Sequence, residues 1–82
     1  MRINPLDPEF NKYLSKHNLS KKFNKQLNLF LNNPNHPSLN TERLEPKQYK
    51  LYSFRIDRKY RVVFLFSEPD LIEVVEINDH YR

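Results

Sequence analysis

Arg55 and Arg61 are the residues whose spacing first points to chemistry. They flank a short polar turn, and a hairpin centred on Arg58 would place them directly opposite each other on neighbouring strands. Two like charges in that position repel, so a carboxylate, a shared anion or a different register must compensate. Arginine binds the non-bridging oxygens of a phosphate and stabilises the negative charge that develops on them. The pair therefore indicates an anion-binding site.

Groups able to move protons are expected on the same face of the sheet. If the second hairpin closes symmetrically on residues 67–70, Glu76 faces Arg61, and the two-residue period of a strand adds Asn78 and His80. A histidine or glutamate can take the proton of an RNA 2′-hydroxyl, while a second group protonates the leaving 5′-oxygen. RNA then supplies its own nucleophile. The alternative interpretation is a salt-bridge cluster of Glu76 with the two arginines on an exposed face.

Three runs rich in β-branched and aromatic residues must position these groups. They cover residues 49–56, 60–66 and 71–77 with short turns between them, which is typical of an antiparallel meander. Alternation along the runs predicts one apolar face that packs into the core. The predicted core face comprises Phe54, Ile56, Tyr60, Val62, Phe64, Phe66, Leu71, Val75 and Ile77. The apolar members of the opposite face are Leu65, Ile72 and Val74.

Two amphipathic helices are predicted before the meander. Asp7 and Pro8 indicate a helix start, and apolar residues at helical spacing extend this helix over residues 8–17. Ser20 is predicted to cap a second helix that runs to about Asn32. The short break between the two helices predicts an αα-hairpin.

The remaining segments complete a single small domain. Residues 2–4 are predicted to form a brief edge strand, and residues 33–48, with three prolines, a long connection of the kind that is often functional or mobile. We therefore expect one α+β domain over residues 1–82. Its N-terminal helical hairpin packs on one face of a three- to four-stranded antiparallel sheet.

The composition excludes several kinds of site. Lysine and arginine outnumber the acidic residues by 14 to 10, and the net charge of +4 favours an anionic partner such as nucleic acid or an acidic protein segment. Without cysteine there is no thiolate metal site, and without glycine there is no Gly-dependent phosphate loop. No cofactor or metal is expected. No apolar run is long enough for a membrane span, and we expect a cytoplasmic location.

The three histidines lack the spacing of a zinc motif. His17 completes a helical stripe and is expected to pack at the rim of the core, while His36 lies between prolines and is expected to be structural or solvated. His80 follows the last strand near the arginine face, so both a functional role and that of a solvated terminal residue stay open.

Four short motifs together resemble one known family. They are His36-Pro37-Ser38-Leu39, Ser53-Phe54-Arg55-Ile56, Tyr60-Arg61-Val62-Val63-Phe64 and Asp79-His80-Tyr81. In this combination and order the chain resembles the RelE/ParE superfamily of toxins from toxin–antitoxin systems. Its His-Tyr ending is most similar to the YoeB/RelE branch of mRNA interferases. The resemblance implies a twisted antiparallel sheet with an N-terminal helical hairpin.

The resemblance also implies an activity and a catalytic set. It implies a metal-independent, ribosome-associated endoribonuclease that cleaves mRNA in the ribosomal A site and inhibits translation. Glu42 or His80 would be the general base, and Arg61 would stabilise the transition state. His80 or Tyr81 would handle the leaving-group proton or stack on a base. Glu45 is a nearby alternative to Glu42.

Further cations are predicted to bind RNA phosphates. They are Arg55, Lys47, Lys50, Arg58 and Lys59, and the two lysines at 47 and 50 are also alternatives for the role of Glu42. The implied partners are a cognate antitoxin protein, in a toxin–antitoxin hetero-oligomer, and mRNA. Two other functions stay open: a ParE-like inhibitor of DNA gyrase without catalytic activity, and an inactive homologue that only binds an antitoxin.

Overall fold

The computed structural model describes residues 1–79, which form two helices and a five-stranded mixed sheet. The helices are α1 (Pro8–Lys16) and α2 (Ser20–Asn32), and the strands are β1 (Arg2–Ile3), β2 (Glu42–Arg43), β3 (Tyr52–Arg55), β4 (Arg61–Glu68) and β5 (Leu71–Asn78). The strand order is β1-β5-β4-β3-β2. The predicted α+β class is confirmed. The sheet has more strands than predicted, and β1 pairs with β5 in parallel.

Both helices lie close to their predicted bounds, but the predicted N-cap residue of α2 is wrong. At α1, the Asp7 carboxylate accepts the amide of Glu9 at 2.9 Å, as expected of an N-cap. At α2 the N-cap is Leu19 rather than Ser20, and no side chain caps the helix. The reason is that the Leu19 carbonyl already accepts the amide of Phe23 at 2.7 Å. Ser20 is therefore the first residue of the helix, and the N-cap position lies one residue before it.

The predicted register of the first hairpin is confirmed. Arg55 lies opposite Arg61, and the β3–β4 ladder runs from that pair to Tyr52 opposite Phe64. Asp57 closes the turn, because its Oδ1 accepts the backbone amides of Lys59 and Tyr60, both at 2.8 Å. The two arginines therefore share one face of the sheet.

The predicted register of the second hairpin is wrong. Glu68 lies opposite Leu71, so the turn is shorter than the symmetric loop over residues 67–70. Two irregularities then shift the β4–β5 ladder, one between Phe66 and Glu68 and one between Val63 and Phe64. As a result Arg61 lies opposite Asn78, and Glu76 lies opposite Val63.

The same irregularities exchange residues between the two faces of β5. Ile72 and Val74 are buried in the core, whereas the prediction placed them on the opposite face. Val75, predicted as a core residue, is exposed, and Leu71 is half-buried. A one-residue shift turns the side chains on one side of it to the other face of the sheet, which accounts for these errors on β5. Phe66 of β4, also predicted as a core residue, stays on the side of Phe64, with ring centroids 5.7 Å apart, but is 38% exposed because β3 ends before it.

The core joins both helices to one face of the sheet, as predicted. Leu14 of α1 and Phe30 of α2 belong to the same buried cluster as Phe54, Phe64 and Ile77. Phe30 stacks on Phe54 with ring centroids 5.1 Å apart and meets Phe64 edge-on at 4.9 Å. This packing leaves the face that bears the two arginines directed away from the helices.

Within the described part of the chain, three residues take the left-handed backbone conformation that glycine usually adopts. They are Asn18, Asn40 and Lys50, with φ of 56°, 45° and 54°. Lys50 follows a 3-10 turn, Lys47–Tyr49, which replaces the first residues of the predicted strand over 49–56. Within residues 1–79 no helix is long and apolar enough to cross a membrane.

Candidate active site

Arg61 is the centre of the arginine-bearing face. Its side chain is only 4% exposed, and its guanidinium donates to the Ser53 hydroxyl from Nε at 2.9 Å and from Nη2 at 2.7 Å. Nη2 also donates to the carbonyl of Asn40 at 2.8 Å. Because these acceptors are uncharged, they fix the orientation of the guanidinium without neutralising its charge.

Glu42 lies next to this guanidinium. Strand β2 pairs Glu42 with Ser53, which puts the carboxylate on the same face as Arg61. The Glu42 Oε2 is 3.9 Å from the Arg61 Nη2, an ion-pair distance that is too long for a hydrogen bond. The Glu42 side chain is 41% exposed, so its carboxylate is open to water while it lies beside a nearly buried cation. Glu45, the alternative, is exposed and forms no ion pair with any of residues 1–79.

Arg55 and Arg61 are opposite in register, but the guanidinium of Arg61 is directed toward Ser53 and Asn40. Its close carboxylate among the described residues is Glu42 rather than the predicted Glu76. Glu42 therefore provides the negative charge that offsets the like-charge pair, while Ser53 and Asn40 orient the guanidinium of Arg61.

Asn78 and Glu76 interact with each other on β5. The Asn78 amide donates to the Glu76 carboxylate, and the register shift sets Asn78 opposite Arg61. The predicted pairing of Glu76 with Arg61 is thus wrong, because the shifted ladder places the carboxylate opposite Val63, two residue pairs from Arg61.

The other predicted phosphate-binding cations lie in two turns. Arg58 and Lys59 are exposed in the β3–β4 turn, where the Lys59 ammonium is 4.0 Å from the Asp79 carboxylate. Lys47 and Lys50 are exposed at the separate 3-10 turn before β3. The structure therefore brings Glu42 to Arg61, while these cations lie on the turns before and after β3. The predicted His80 and Tyr81 lie outside the described residues.

Gln26 is a buried polar residue that sequence reasoning missed. Its Nε2 donates to the carbonyl of Arg55 at 2.8 Å and to that of Ser38 at 3.3 Å. It thus ties helix α2 both to the end of β3 and to the loop that leads to Asn40. The signal was present, since Gln26 falls at helical spacing from Phe23 within the apolar stripe of α2.

The first two histidines have structural roles, as predicted. The His36 Nδ1 accepts the amide of Ser38 at 3.2 Å and caps the short turn Pro37–Leu39. His17 lies at the rim, where its ring centroid is 4.3 Å from that of Tyr13 and its Nδ1 is 3.2 Å from the Tyr60 hydroxyl. Among residues 1–79 no three acidic, histidine or cysteine side chains cluster in a way that could hold a metal ion.

Solved structures similar to this one are toxins. A YoeB/ParE toxin from Agrobacterium tumefaciens is 19% identical with a TM-score of 0.73, and the alignment covers 99% of this chain and 100% of that one. The YoeB dimer from Staphylococcus aureus is 24% identical with a TM-score of 0.71, covering 98% and 94%. YafQ from Escherichia coli is 11% identical with a TM-score of 0.73, covering 96% and 90%.

By sequence alone, no protein-family model matches the chain, and no curated protein matches it either. The similarity to known proteins is therefore seen in the structure and not in the sequence. The fold is shared with the YoeB/ParE toxin, YoeB and YafQ, which confirms the predicted resemblance at the level of the fold.

Proposed function

We propose that this chain is the toxin of a type II toxin–antitoxin module. We further propose that it is a metal-independent endoribonuclease, which cleaves ribosome-associated mRNA in the cytoplasm by attack of the 2′-hydroxyl. The fold shared with YoeB-type toxins supports the first part. The observation that carries the second is the Glu42 carboxylate 3.9 Å from a guanidinium that Ser53 and Asn40 hold in place.

Glu42 and Arg61 divide the chemistry between them. Glu42, which is open to water, takes the proton of the 2′-hydroxyl as that oxygen attacks the adjacent phosphorus. The bond between phosphorus and the 5′-oxygen breaks, and a 2′,3′-cyclic phosphate forms. Arg61 stabilises the charge that develops on the non-bridging oxygens. His80 or Tyr81 supplies the proton to the leaving 5′-oxygen.

Entry of RNA requires a local opening of the site. With 4% of its side chain exposed, Arg61 has little surface for a phosphate to reach in the free protein. Catalytic contacts are often incomplete before substrate binds and form only in the complex. Arg61 is already oriented by its hydrogen bonds to Ser53. A phosphate can therefore reach the guanidinium once the surrounding residues move apart, and these hydrogen bonds need not break.

Cations around the site hold the RNA backbone. Arg55 lies opposite Arg61 in the sheet, and Arg58 and Lys59 occupy the exposed turn that connects them. Lys47 and Lys50 extend this charge to the 3-10 turn before β3. A net charge of +4 attracts a polyanion over distances set by the salt concentration.

An antitoxin protein is the second proposed partner. One similar solved structure is a heterotetrameric complex of the YoeB–YefM toxin–antitoxin from Staphylococcus aureus, 24% identical to this chain with a TM-score of 0.69. We expect an acidic antitoxin segment to cover the arginine-bearing face in a similar hetero-oligomer. Its affinity should then fall as salt rises.

The experiment is primer-extension mapping of cellular mRNAs after brief induction of the protein. Cuts in phase with codons are expected with the wild type and are expected to disappear with Glu42→Gln and with Arg61→Ala. Because Arg61 is buried, Arg61→Ala can also unfold the chain, whereas the half-exposed Glu42 tests the chemistry without that complication. The matched controls are Glu9→Gln and Lys25→Ala, which change exposed charges on the helices.

The outcomes separate the possible functions. His80→Ala and Tyr81→Ala are expected to slow cleavage, and cleavage equal to wild type in both would remove those residues from the mechanism. Intact mRNA with DNA damage on induction would instead support a gyrase inhibitor. Intact mRNA without toxicity, together with tight antitoxin binding, would support an inactive homologue.

A further inference from the structure

A groove separate from the Arg61 site lies between the 3-10 turn before β3 and the second half of β4. Its volume is about 260 Å³, and its walls are formed by Tyr49, Lys50, Tyr52, Leu65 and Phe66. We call it the aromatic groove. Three of its five wall residues carry aromatic rings, so it offers flat apolar surfaces rather than a polar pocket.

The groove exists because strand β3 is shorter than its partner. The β3–β4 ladder ends with Tyr52 opposite Phe64, whereas β4 continues to Glu68. The chain before Tyr52 leaves the sheet through the 3-10 turn, which exposes 66% of Tyr49 and leaves Phe66 38% exposed. The ring of Tyr52 meets that of Phe66 edge-on, with centroids 5.3 Å apart. Exposed aromatic rings of this kind are typical of binding surfaces.

Positive charge surrounds these rings. Lys47 and Lys50 are exposed on the turn and form no ion pair with any of residues 1–79. The Arg43 guanidinium donates to the Lys47 carbonyl at 3.0 Å and lies 5.8 Å from the centre of the Tyr52 ring. The acidic residue within this segment is Glu45. Cations interleaved with exposed aromatic rings favour single-stranded nucleic acid, since bases stack on the rings and phosphates bind the cations.

We propose that the aromatic groove binds single-stranded RNA, with a base stacked on Tyr49 and phosphates held by Lys47 and Lys50. This rests on the proposed ribonuclease function and extends it to a second contact with the same strand. Leu65 in the groove shares a sheet face with Arg61, four residues away on β4, which is roughly 13 Å along the strand. Tyr52 and Phe66 lie on the other face, where their rings pack beside that of Phe64. The groove therefore lies at the edge of the sheet, and an RNA chain that leaves it over Leu65 can continue to the Arg61 site.

The test uses a short fluorescent single-stranded oligonucleotide with 2′-O-methyl groups, which keeps its bases but lacks the 2′-hydroxyl nucleophile. Fluorescence anisotropy gives its dissociation constant at several salt concentrations. We expect Tyr49→Ala to weaken binding about tenfold, because stacking on an aromatic ring is lost. Tyr49→Phe, which keeps the ring, should remain within about twofold of wild type.

The lysines are tested by their salt dependence. Lys47→Ala and Lys50→Ala should each reduce the slope of log affinity against log salt by about 0.7, as expected for one phosphate contact on a single strand. Lys25→Ala, an exposed lysine on helix α2, is the control and should leave the slope unchanged. Tyr49 is exposed, so its replacement should not unfold the chain, and circular dichroism checks this.

Several outcomes would overturn the proposal. These are no binding by the wild type, equal binding by Tyr49→Ala, or a Tyr49→Phe defect as large as that of Tyr49→Ala. Loss of antitoxin binding in Tyr49→Ala with RNA binding intact would identify a protein surface instead. If RNA binding depends on Tyr49 but the wild type cleaves no RNA, the ribonuclease function is wrong and the RNA-binding groove stands. If Glu42→Gln abolishes cleavage but Tyr49→Ala binds RNA as tightly as the wild type, the proposal for the aromatic groove is wrong and the ribonuclease function stands.

Discussion

The guanidinium of Arg61 is anchored to the hydroxyl of Ser53 by two hydrogen bonds, from Nε at 2.9 Å and from Nη2 at 2.7 Å. Both residues are buried, so neither group can exchange its partner for water without local opening. The serine therefore acts as a positioning residue for the arginine.

Replacing this serine should affect both stability and activity. Ser53→Ala removes an acceptor from a buried charged donor, which should lower the free energy of unfolding by about 2 kcal/mol. Cleavage should also fall, because the guanidinium loses its fixed orientation. Urea unfolding measures the first effect and primer extension the second. Ser67→Ala, at an exposed serine, is the control, and equal stability of both variants would contradict the anchoring role.

Gln26 provides a second prediction, about the framework behind the site. Gln26→Leu keeps the size of the side chain but leaves the carbonyls of Arg55 and Ser38 without their amide donor. We expect a loss of about 1–2 kcal/mol in the free energy of unfolding, measured by urea denaturation. Asn24→Leu, at an exposed position of the same helix, should change it by less than about 0.5 kcal/mol. Similar changes in the free energy of unfolding for the two variants would show that the buried amide of Gln26 does not contribute to stability.

Asp57 predicts a pH dependence of stability. Burial raises the pKa of its carboxyl, but the amides of Tyr60 and Lys59 and the ammonium of Lys22 outweigh burial, so the pKa lies below its ordinary value. A lowered pKa in the folded state stabilises the protein above the unfolded pKa of about 3.9, and this contribution is lost as pH falls through the folded value.

Asp57→Asn tests this dependence, because it keeps an oxygen acceptor for the two amides but removes the charge. The stability difference between wild type and Asp57→Asn should be constant near pH 7 and should shrink as the pH falls below about 4. Urea unfolding across this range measures it, with Asp7→Asn at an exposed helix cap as the control. A difference that is independent of pH would exclude the lowered pKa.

Phe30 gives a prediction about the core. It is fully buried between the rings of Phe54 and Phe64, so Phe30→Ala should cost about 3–5 kcal/mol and largely unfold so small a domain. Phe30→Leu, which leaves a smaller cavity, should remain folded with a lower midpoint of thermal unfolding. An unchanged midpoint in Phe30→Leu would contradict tight packing around this ring.

The first hairpin was predictable from sequence because its signals are local. A polar turn around Arg58 lies between two apolar runs, and Asp57 supplies the carboxylate that closes it. Those signals determine the register, and with it the opposition of Arg55 and Arg61. The helices were predictable for a similar reason, since their apolar spacing is regular.

The second hairpin was not predictable, because nothing local marks its irregularities. No glycine or proline accompanies the shift near Val63, so strict alternation was carried through it, and Glu76 was placed two residue pairs away from its position. The role of Ser53 was missed because it depends on the direction taken by the Arg61 side chain on the neighbouring strand. The role of Gln26 was missed because its partner Arg55 is 29 residues further along the chain. Glu42 was identified through the family resemblance, and the two-residue strand that positions it has no signal of its own.

The left-handed turns at Asn18, Asn40 and Lys50 have a consequence for the balance between the folded and the unfolded chain. A glycine at each of these turns would fit the left-handed conformation without strain, yet the chain contains none. Residues with a Cβ atom restrict the backbone of the denatured ensemble, but at a positive φ the steric strain that they carry in the folded state exceeds that gain. The cost is largest at Lys50, because asparagine, unlike lysine, can relieve it through the local hydrogen bonds of its short polar side chain.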